Sequence, residues 1–287
     1  MPLMTTTPGF ACAVAIRRSF MVNGLRLNAL EWPAPGRHPL CFLHGGSAHA
    51  HWFDAVVPKF VGRYHILSVD QRGHGESQWS PAHEYATEHF AADLAGVMDA
   101  MGWPRMALAG HSMGGHNAIA FSGWQPGRVS ALAIIDSRPA LPPERLNAMH
   151  HRGHRGPRRH ETVESALASF RLLPRETIAD PALLQHLARE GIVEREGRFL
   201  YRFDPATSGA RQPVDAWPLL ERIVAPTLVV RGEHSPILPV PMAQDIMKRL
   251  ARARFVDIPG AYHHLTLDTP GAFADALDGF LTEFPPA

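Results

Sequence analysis

Short apolar runs alternate with segments of helical periodicity along most of the chain. Continuous apolar runs are typical of strands buried on both faces of a sheet. Six runs of this kind span residues 40–43, 64–70, 106–109, 129–135, 226–230 and 254–258. Helical spacing occurs at residues 85–101, 241–250 and 272–284, and residues 16–31 resemble two strands joined at Asn23-Gly24. The alternation predicts an α/β fold with a mostly parallel central sheet flanked by helices.

Residues 138–215 interrupt this alternation. The stretch has a proline-rich entry, a basic histidine-rich segment and two helical patterns at residues 161–172 and 181–191. It contains no apolar run of the buried-strand type. We therefore expect a core domain of residues 1–137 and 216–287, with residues 138–215 forming a mainly helical lid inserted into it. Ligands of open α/β sheets bind at the carboxyl ends of the strands, where such a lid would shape the pocket and exclude water.

The composition of the chain excludes several classes of protein and of binding partner. A length of 287 residues with 45% hydrophobic content suits one large domain or a domain with an insertion. The net charge of +1 gives no case for nucleic acid or an anionic membrane as a partner. The only cysteines, Cys12 and Cys41, are too few for a disulfide framework. No run approaches a membrane span, and the first two arginines follow the N-terminal apolar patch instead of preceding it. We expect a cytoplasmic protein.

One short motif carries the strongest chemical signal. Gly110-His111-Ser112-Met113-Gly114 reads Gly-x-Ser-x-Gly and stands between the strand pattern of residues 106–109 and the helical pattern of residues 115–121. Strand, sharp turn and helix are the context of a nucleophile elbow, which exposes the serine to a substrate. The motif alone also suits an ordinary glycine-rich turn with a capping serine.

Four segments together resemble the α/β-hydrolase superfamily, from about residue 16 to the C-terminus. The segments are residues 43–46 (Leu-His-Gly-Gly), 70–77 (Asp-Gln-Arg-Gly-His-Gly-Glu-Ser), 110–115 (Gly-His-Ser-Met-Gly-Gly) and 260–263 (Gly-Ala-Tyr-His). The resemblance implies that Ser112 is the nucleophile and that His263 is its base, with the adjacent His264 as the alternative. It also implies an oxyanion hole made by the backbone amides of Gly46 and Met113.

The carboxylate partner departs from the common family pattern. Most relatives carry an aspartate where this chain has Ser235. Some branches of the superfamily place the acid one strand earlier, and Asp136 stands there. Glu233 is the only carboxylate in the loop of Ser235. We assign Asp136 as the acid, with Glu233 as the alternative, and a site with neither as the third possibility.

The remaining candidates concern the pocket. We expect His111, Trp52, Phe170 and Tyr201 to bind substrate, although core or lid packing explains the aromatic residues equally well. A basic segment carries His150, His151, His154 and His160 among Arg152, Arg155, Arg158 and Arg159. Arginines would repel a cation, so the segment is interpreted as a solvated basic loop that could also attract an anionic substrate. We expect no metal and no cofactor.

The resemblance implies a cofactor-free serine hydrolase that cleaves a carboxylic ester or lactone through an acyl-enzyme on Ser112. Two other reactions remain open: carbon–carbon hydrolysis of a vinylogous diketone and hydrolysis of a small activated amide. A non-catalytic binding module is the alternative from a different class. The expected partner is a small-molecule substrate, and the expected state is a monomer or a homodimer.

Overall fold

An eight-stranded sheet forms the centre of the computed structural model, which describes residues 13–285; Cys12 lies outside them. The strands of the described residues are β1 (Ile16–Val22), β2 (Leu25–Trp32), β3 (Pro39–Leu43), β4 (His65–Asp70), β5 (Tyr85–Ala86), β6 (Met106–His111), β7 (Val129–Ile135), β8 (Ile192–Arg195), β9 (Arg198–Tyr201), β10 (Arg211–Gln212), β11 (Thr227–Gly232) and β12 (Ala253–Ile258). The spatial order of the eight-stranded sheet is β1-β2-β4-β3-β6-β7-β11-β12. Within this sheet only the pairs β1–β2 and β2–β4 are antiparallel, so the predicted mostly parallel sheet is confirmed.

Helices cover both faces of the sheet. They are α1 (Thr87–Ala100), α2 (Met113–Trp124), α3 (Pro143–Gly153), α4 (Val163–Ser169), α5 (Pro181–Glu190), α6 (Ala206–Gly209), α7 (Trp217–Leu220), α8 (Val240–Arg249), α9 (Leu265–Asp268) and α10 (Pro270–Glu283). Short 3-10 segments occur at Ala50–Phe53, Val57–Lys59 and Pro126–Arg128.

The core is divided into two layers by the sheet. Side chains alternate along each strand, so Leu43 and Leu108 pack with α1, α2 and α8 on one face. Phe42 and Ala109 pack with the 3-10 segment Ala50–Phe53 and with α10 on the other face. Burial on both faces explains why the central strands are continuous apolar runs. Because these strands run parallel, their carboxyl ends meet at one edge of the sheet.

Residues 138–215 lie between β7 and β11 in the chain and contain more than the two predicted helices. They hold α3 to α6, the antiparallel hairpin β8–β9, and β10, which pairs with β5. The hairpin turns at Glu196-Gly197, where both residues have positive φ. The division into core and lid remains a proposal.

The basic segment is not a solvated loop throughout, which corrects the expectation for it. His150, His151 and Arg152 belong to α3. His160 is buried, its backbone pairs with Phe199, and its ring hydrogen-bonds Ser165 and Ser169. The sequence pattern showed only the charge of this segment, whereas pairing with β9 and hydrogen bonds to α4 turn the His160 side chain inward.

A buried carboxylate joins residues 138–215 to the rest of the chain. Asp54 is 1% exposed, and its Oδ2 lies 2.8 Å from His51 Nδ1 and 2.8 Å from His186 Nε2 on α5. Burial opposes the charge of Asp54, but the hydrogen bonds from His186 and His51 outweigh it and lower the pKa of the carboxyl. Burial likewise opposes a cationic His51, but Asp54 and Glu190 raise the pKa of its imidazole.

We expect Asp54→Asn to lower the free energy of unfolding by about 2 kcal/mol near pH 6, because a charged hydrogen-bond acceptor is lost from a buried site. The raised pKa of His51 means that its ion pair is fully present below the ordinary imidazole range and is lost as pH rises through the raised value. Urea unfolding should therefore show a smaller difference from the parent protein at about pH 9.

The exposed His154 provides the control for this measurement. His154→Gln should leave the unfolding free energy within about 0.5 kcal/mol of the parent value. An Asp54→Asn protein as stable as the His154→Gln control at both pH values would contradict the assignment of this contact as a tie between the two parts of the chain.

Candidate active site

Ser112 stands on a strained turn between β6 and α2. Its φ of 52° and ψ of −114° lie in a region that side chains rarely adopt. Gly110 and Gly114 make the turn possible because a Cβ on either would lie 2.3 Å from a backbone oxygen, that of Gly114 or Leu43 respectively. The backbone amide of Ser112 donates to Ile135 O at 2.9 Å, which holds the turn against β7. The motif therefore has the geometry of a nucleophile elbow.

A chain of three side chains runs inward from the elbow. Ser112 Oγ lies 3.1 Å from His263 Nε2, and His263 Nδ1 lies 2.5 Å from Asp136 Oδ2. His263 is 3% exposed and Asp136 is fully buried. His264 points elsewhere, with its Nε2 2.9 Å from Pro174 O. The half-exposed Glu233 accepts the Gly260 amide at 2.7 Å instead of contacting His263.

Three parallel strands bring Asp136 to His263. Asp136 directly follows β7, and its amide donates to Val230 O of β11 at 2.8 Å. Ser235, in the loop after β11, donates its hydroxyl to Asp136 Oδ2 at 2.5 Å and accepts the Ile237 amide at 3.0 Å. The serine at the usual acid position thus hydrogen-bonds the carboxylate one strand away. Sequence reasoning recorded Ser235 as a departure from the family pattern but missed this contact.

Two backbone amides close to Ser112, those of Met113 and Gly46, are the predicted donors of the oxyanion hole. Met113 is the first residue of α2, so its amide is one of the donors that a helix leaves unsatisfied. Within residues 13–285, neither this amide nor that of Gly46 donates to a protein acceptor. Gly46 lies close to Met113, since a Cβ on Gly46 would be 3.9 Å from Met113 Sδ. The arrangement provides two free donors of the type that an oxyanion needs.

A cavity of about 390 Å³ opens on Ser112 and His263. Its size falls in the range of small-molecule sites. All four residues predicted to bind substrate line it: His111, Trp52, Phe170 and Tyr201. Trp52 is also a core residue, 6% exposed and stacked at 6.4 Å on the His111 ring. Trp52 therefore lines the cavity and packs in the core at the same time. Arginines from residues 138–215, which sequence reasoning did not place at the pocket, complete its wall.

The comparison with family models decides the classification. The family described as α/β hydrolase fold matches residues 38–270. The chain belongs to the α/β-hydrolase fold family. It is 27% identical to 2-(acetamidomethylene)succinate hydrolase of Mesorhizobium japonicum, over 93% of this chain and 95% of that protein. It is 25% identical to esterase YbfF of Escherichia coli, over 90% of this chain and all of that one.

Solved structures agree with this assignment. The crystal structure of E-2-(acetamidomethylene)succinate hydrolase superposes with a TM-score of 0.83 at 25% identity, covering 94% of this chain and 100% of that one. Together with the named relatives, this makes the chain a hydrolase of the α/β-hydrolase fold. In residues 13–285, no helix combines the length and the apolar character that a bilayer crossing requires.

Burial controls the protonation of the Asp136–His263 pair. Burial lowers the pKa of His263 well below its ordinary value, and His264, Arg145 and Arg138 lower it further. Burial raises the pKa of Asp136 to about 8, opposed by the Ser235 hydroxyl. The pair can act as a base only when it holds a single proton, placed on His263 Nδ1 and shared with an ionised Asp136. In that state Nε2 is free to accept a proton from Ser112.

Among residues 13–285, two groups of side chains bring three possible metal-ligand atoms within 4.8 Å of one another. The first, His111, His263 and His264, would have to give up the His263 contacts to Ser112 and Asp136. The second is His51, Asp54 and His186, whose facing atoms already hydrogen-bond one another. The facing atoms of His263, His51, Asp54 and His186 are therefore already engaged in hydrogen bonds, whereas His111 Nδ1 and His264 Nδ1 are buried without a partner within residues 13–285.

We expect the rate at which Ser112 reacts with a fluorophosphonate to fall as pH drops below about 8, because a second proton on the Asp136–His263 pair removes the base. Ser235→Ala removes a donor that lowers the pKa of Asp136. The acidic limb of the pH profile, where the labelling rate falls, should therefore move to higher pH in this variant. Second-order labelling rates across the pH range measure both effects.

Ser208→Ala is the matched control, since it removes a pocket hydroxyl that does not contact the pair. Its acidic limb should coincide with that of the parent protein. If the labelling rate falls at the same pH in Ser235→Ala and Ser208→Ala, the group that titrates in the pH profile is not Asp136.

Proposed function

We propose that the protein is a serine hydrolase that cleaves a small carboxylic ester or lactone through an acyl-enzyme on Ser112. The observation that carries the proposal is the contact of Ser112 Oγ with His263 Nε2 at 3.1 Å, in the lining of a cavity of about 390 Å³. A serine hydroxyl is a weak nucleophile at neutral pH and needs an adjacent base. The hydrogen bond from His263 Nδ1 to Asp136 holds the imidazole in the tautomer that this role requires.

Each step of the proposed reaction uses one of these groups. Ser112 Oγ attacks the carbonyl carbon while His263 Nε2 takes its proton, and the Gly46 and Met113 amides stabilise the oxyanion. The tetrahedral intermediate collapses as the imidazolium protonates the leaving oxygen. Water, deprotonated by His263, then attacks the acyl-enzyme and releases the acid and free Ser112. Asp136 stays ionised throughout and stabilises the imidazolium.

Hydrolysis of a small activated amide is the second candidate. It uses the same groups, with the imidazolium protonating a leaving nitrogen. The Mesorhizobium relative favours it, since that protein is named for hydrolysis of a compound with an acetamido group. The Escherichia relative, named an esterase, favours the first candidate. An ester is the better substrate on chemical grounds, because an alcohol leaves more readily than an unactivated amine.

We expect p-nitrophenyl esters of short acyl chains to be hydrolysed, and Asp136→Asn to lower kcat by about 10⁴ because the imidazole then adopts the wrong tautomer. Ser112→Ala should lose fluorophosphonate labelling altogether. Release of p-nitrophenolate measures the first effect. A panel that also contains a lactone, an anilide and a vinylogous diketone compares the reaction classes under the same conditions.

Glu233→Gln provides the matched control, since it neutralises the alternative carboxylate. It should retain kcat within about threefold of the parent value, because Glu233 only caps the Gly260 amide. Near-normal turnover of Asp136→Asn together with a large loss in Glu233→Gln would overturn the assigned acid. Unlabelled Ser112 in the folded parent protein would favour a non-catalytic binding module.

A further inference from the structure

The charged side chains that line the pocket are all of one sign. Five arginines line the cavity in front of Ser112, whereas its lining contains neither aspartate nor glutamate. The chain as a whole carries a net charge of only +1, so the excess of positive charge is local. All five belong to residues 138–215: Arg152, Arg158, Arg171, Arg175 and Arg202.

Three of these five guanidinium groups have no hydrogen-bond or ion-pair partner among the described residues. Arg202 lies 3.1 Å from Glu76 Oε1, and Arg171 donates to the backbone oxygens of Ala168 and Phe170. Within residues 13–285, Arg152, Arg158 and Arg175 make no side-chain hydrogen bond or ion pair. Two neighbouring arginines that do not line the cavity are paired, Arg159 with Glu196 and Arg198 with Glu161. Arg155, which also does not line it, has no such partner within residues 13–285, so position on the cavity wall and not the lack of a partner singles out the three arginines.

Positive charge also acts on the catalytic base, from two arginines that do not belong to the cavity lining. Besides its burial and the neighbouring His264, Arg145 and Arg138 lower the pKa of His263. Such a field opposes the imidazolium that forms when Ser112 is deprotonated. An anionic group on the bound substrate would offset the field at the moment of reaction, so the pocket is better suited to a charged substrate than to a neutral one.

The rest of the wall is apolar. Trp52, Phe170, Leu172 and Phe203 line the cavity beside the arginines. Such a wall fits a substrate with a short apolar body between the scissile carbonyl and a charged end. A guanidinium presents a fork of N–H donors that matches both a carboxylate and a phosphate.

We propose that Arg152, Arg158 and Arg175 bind an oxyanion, a carboxylate or a phosphate, on the acyl part of the substrate while Ser112 attacks the carbonyl at its other end. The inference rests on the proposed function and adds the substrate class. Hydrolysis itself is unchanged: the ester bond breaks, water supplies the hydroxyl group and a proton, and the charged end takes no part in bond making.

A matched pair of substrates tests it. Mono-4-nitrophenyl glutarate and 4-nitrophenyl valerate have five acyl carbons each and the same leaving group, and differ in a terminal carboxylate against a methyl group. We expect kcat/KM for the glutarate ester to exceed that for the valerate ester by about tenfold at low salt, and the ratio to fall as salt is added. A ratio of one or below would overturn the inference while leaving the ester-hydrolase proposal intact.

The double variant Arg152→Gln/Arg158→Gln should lower this ratio by about tenfold. Arg155→Gln is the matched control, because Arg155 lies in the same segment and is exposed but does not line the cavity. Its ratio should stay at the parent value. An equal fall in the control would assign the preference to overall charge and overturn the site. Competitive inhibition by glutarate and by inorganic phosphate then distinguishes the two kinds of oxyanion.

A binding measurement separates this inference from the proposed function. Glutarate, compared with sodium chloride at equal ionic strength, should raise the Tm of the parent protein but not that of the double variant, because a ligand that binds only the folded state stabilises it. This outcome supports the anion site even if no ester is hydrolysed. Absence of a shift with both glutarate and phosphate would overturn it even if esters are hydrolysed.

Discussion

The close approach of α2 to the ends of β3 and β6 is the constraint on which the site depends. Gly110 and Gly114 permit that approach, and the turn between them forces Ser112 to a φ of 52°. Strain of this kind persists only where the surrounding structure fixes it. The Ser112 amide is bonded to β7 and its carbonyl accepts the Ser137 hydroxyl, so the sheet supplies the fixing contacts. The same packing leaves the Met113 amide without an acceptor.

A second constraint is the dry environment of the Asp136–His263 pair. Removing water lowers the pKa of the imidazole and raises that of the carboxyl, so burial alone would neutralise both groups. The Ser235 hydroxyl acts against that tendency by donating to the ionised form of Asp136. Asp136 follows β7, and the position after β11, where the common family pattern has an aspartate, here carries the serine that stabilises the Asp136 charge. Ser235 is a positioning residue, since it acts through Asp136.

The sequence predicts those parts of the fold in which the burial of an element produces a clear hydrophobic pattern along the chain. Central strands are buried on both faces, so β6 and β7 appear as continuous apolar runs. The hairpin β8–β9 was missed because its strands have four residues each, with mixed polarity and one-sided packing. Ser112 and His263 were predictable from motifs, whereas Asp136 and Glu233 could be separated only by distance in space. The distance from each carboxylate to His263 depends on which strands are neighbours in the sheet, and the spacing of residues along the chain does not reveal this.

The arginines illustrate the same limit in a different way. A run of basic residues has no period that tells which members face a cavity, and Arg152, Arg155 and Arg159 are alike in sequence context. Their partners distinguish them: Arg159 is paired with Glu196, while Arg152 lies on the pocket wall. Positive charge beside a base that must itself become a cation raises the cost of catalysis. The arginines that lower the pKa of His263, Arg138 and Arg145, are not those of the cavity wall, but both sets act in the same direction and favour a substrate that brings its own negative charge.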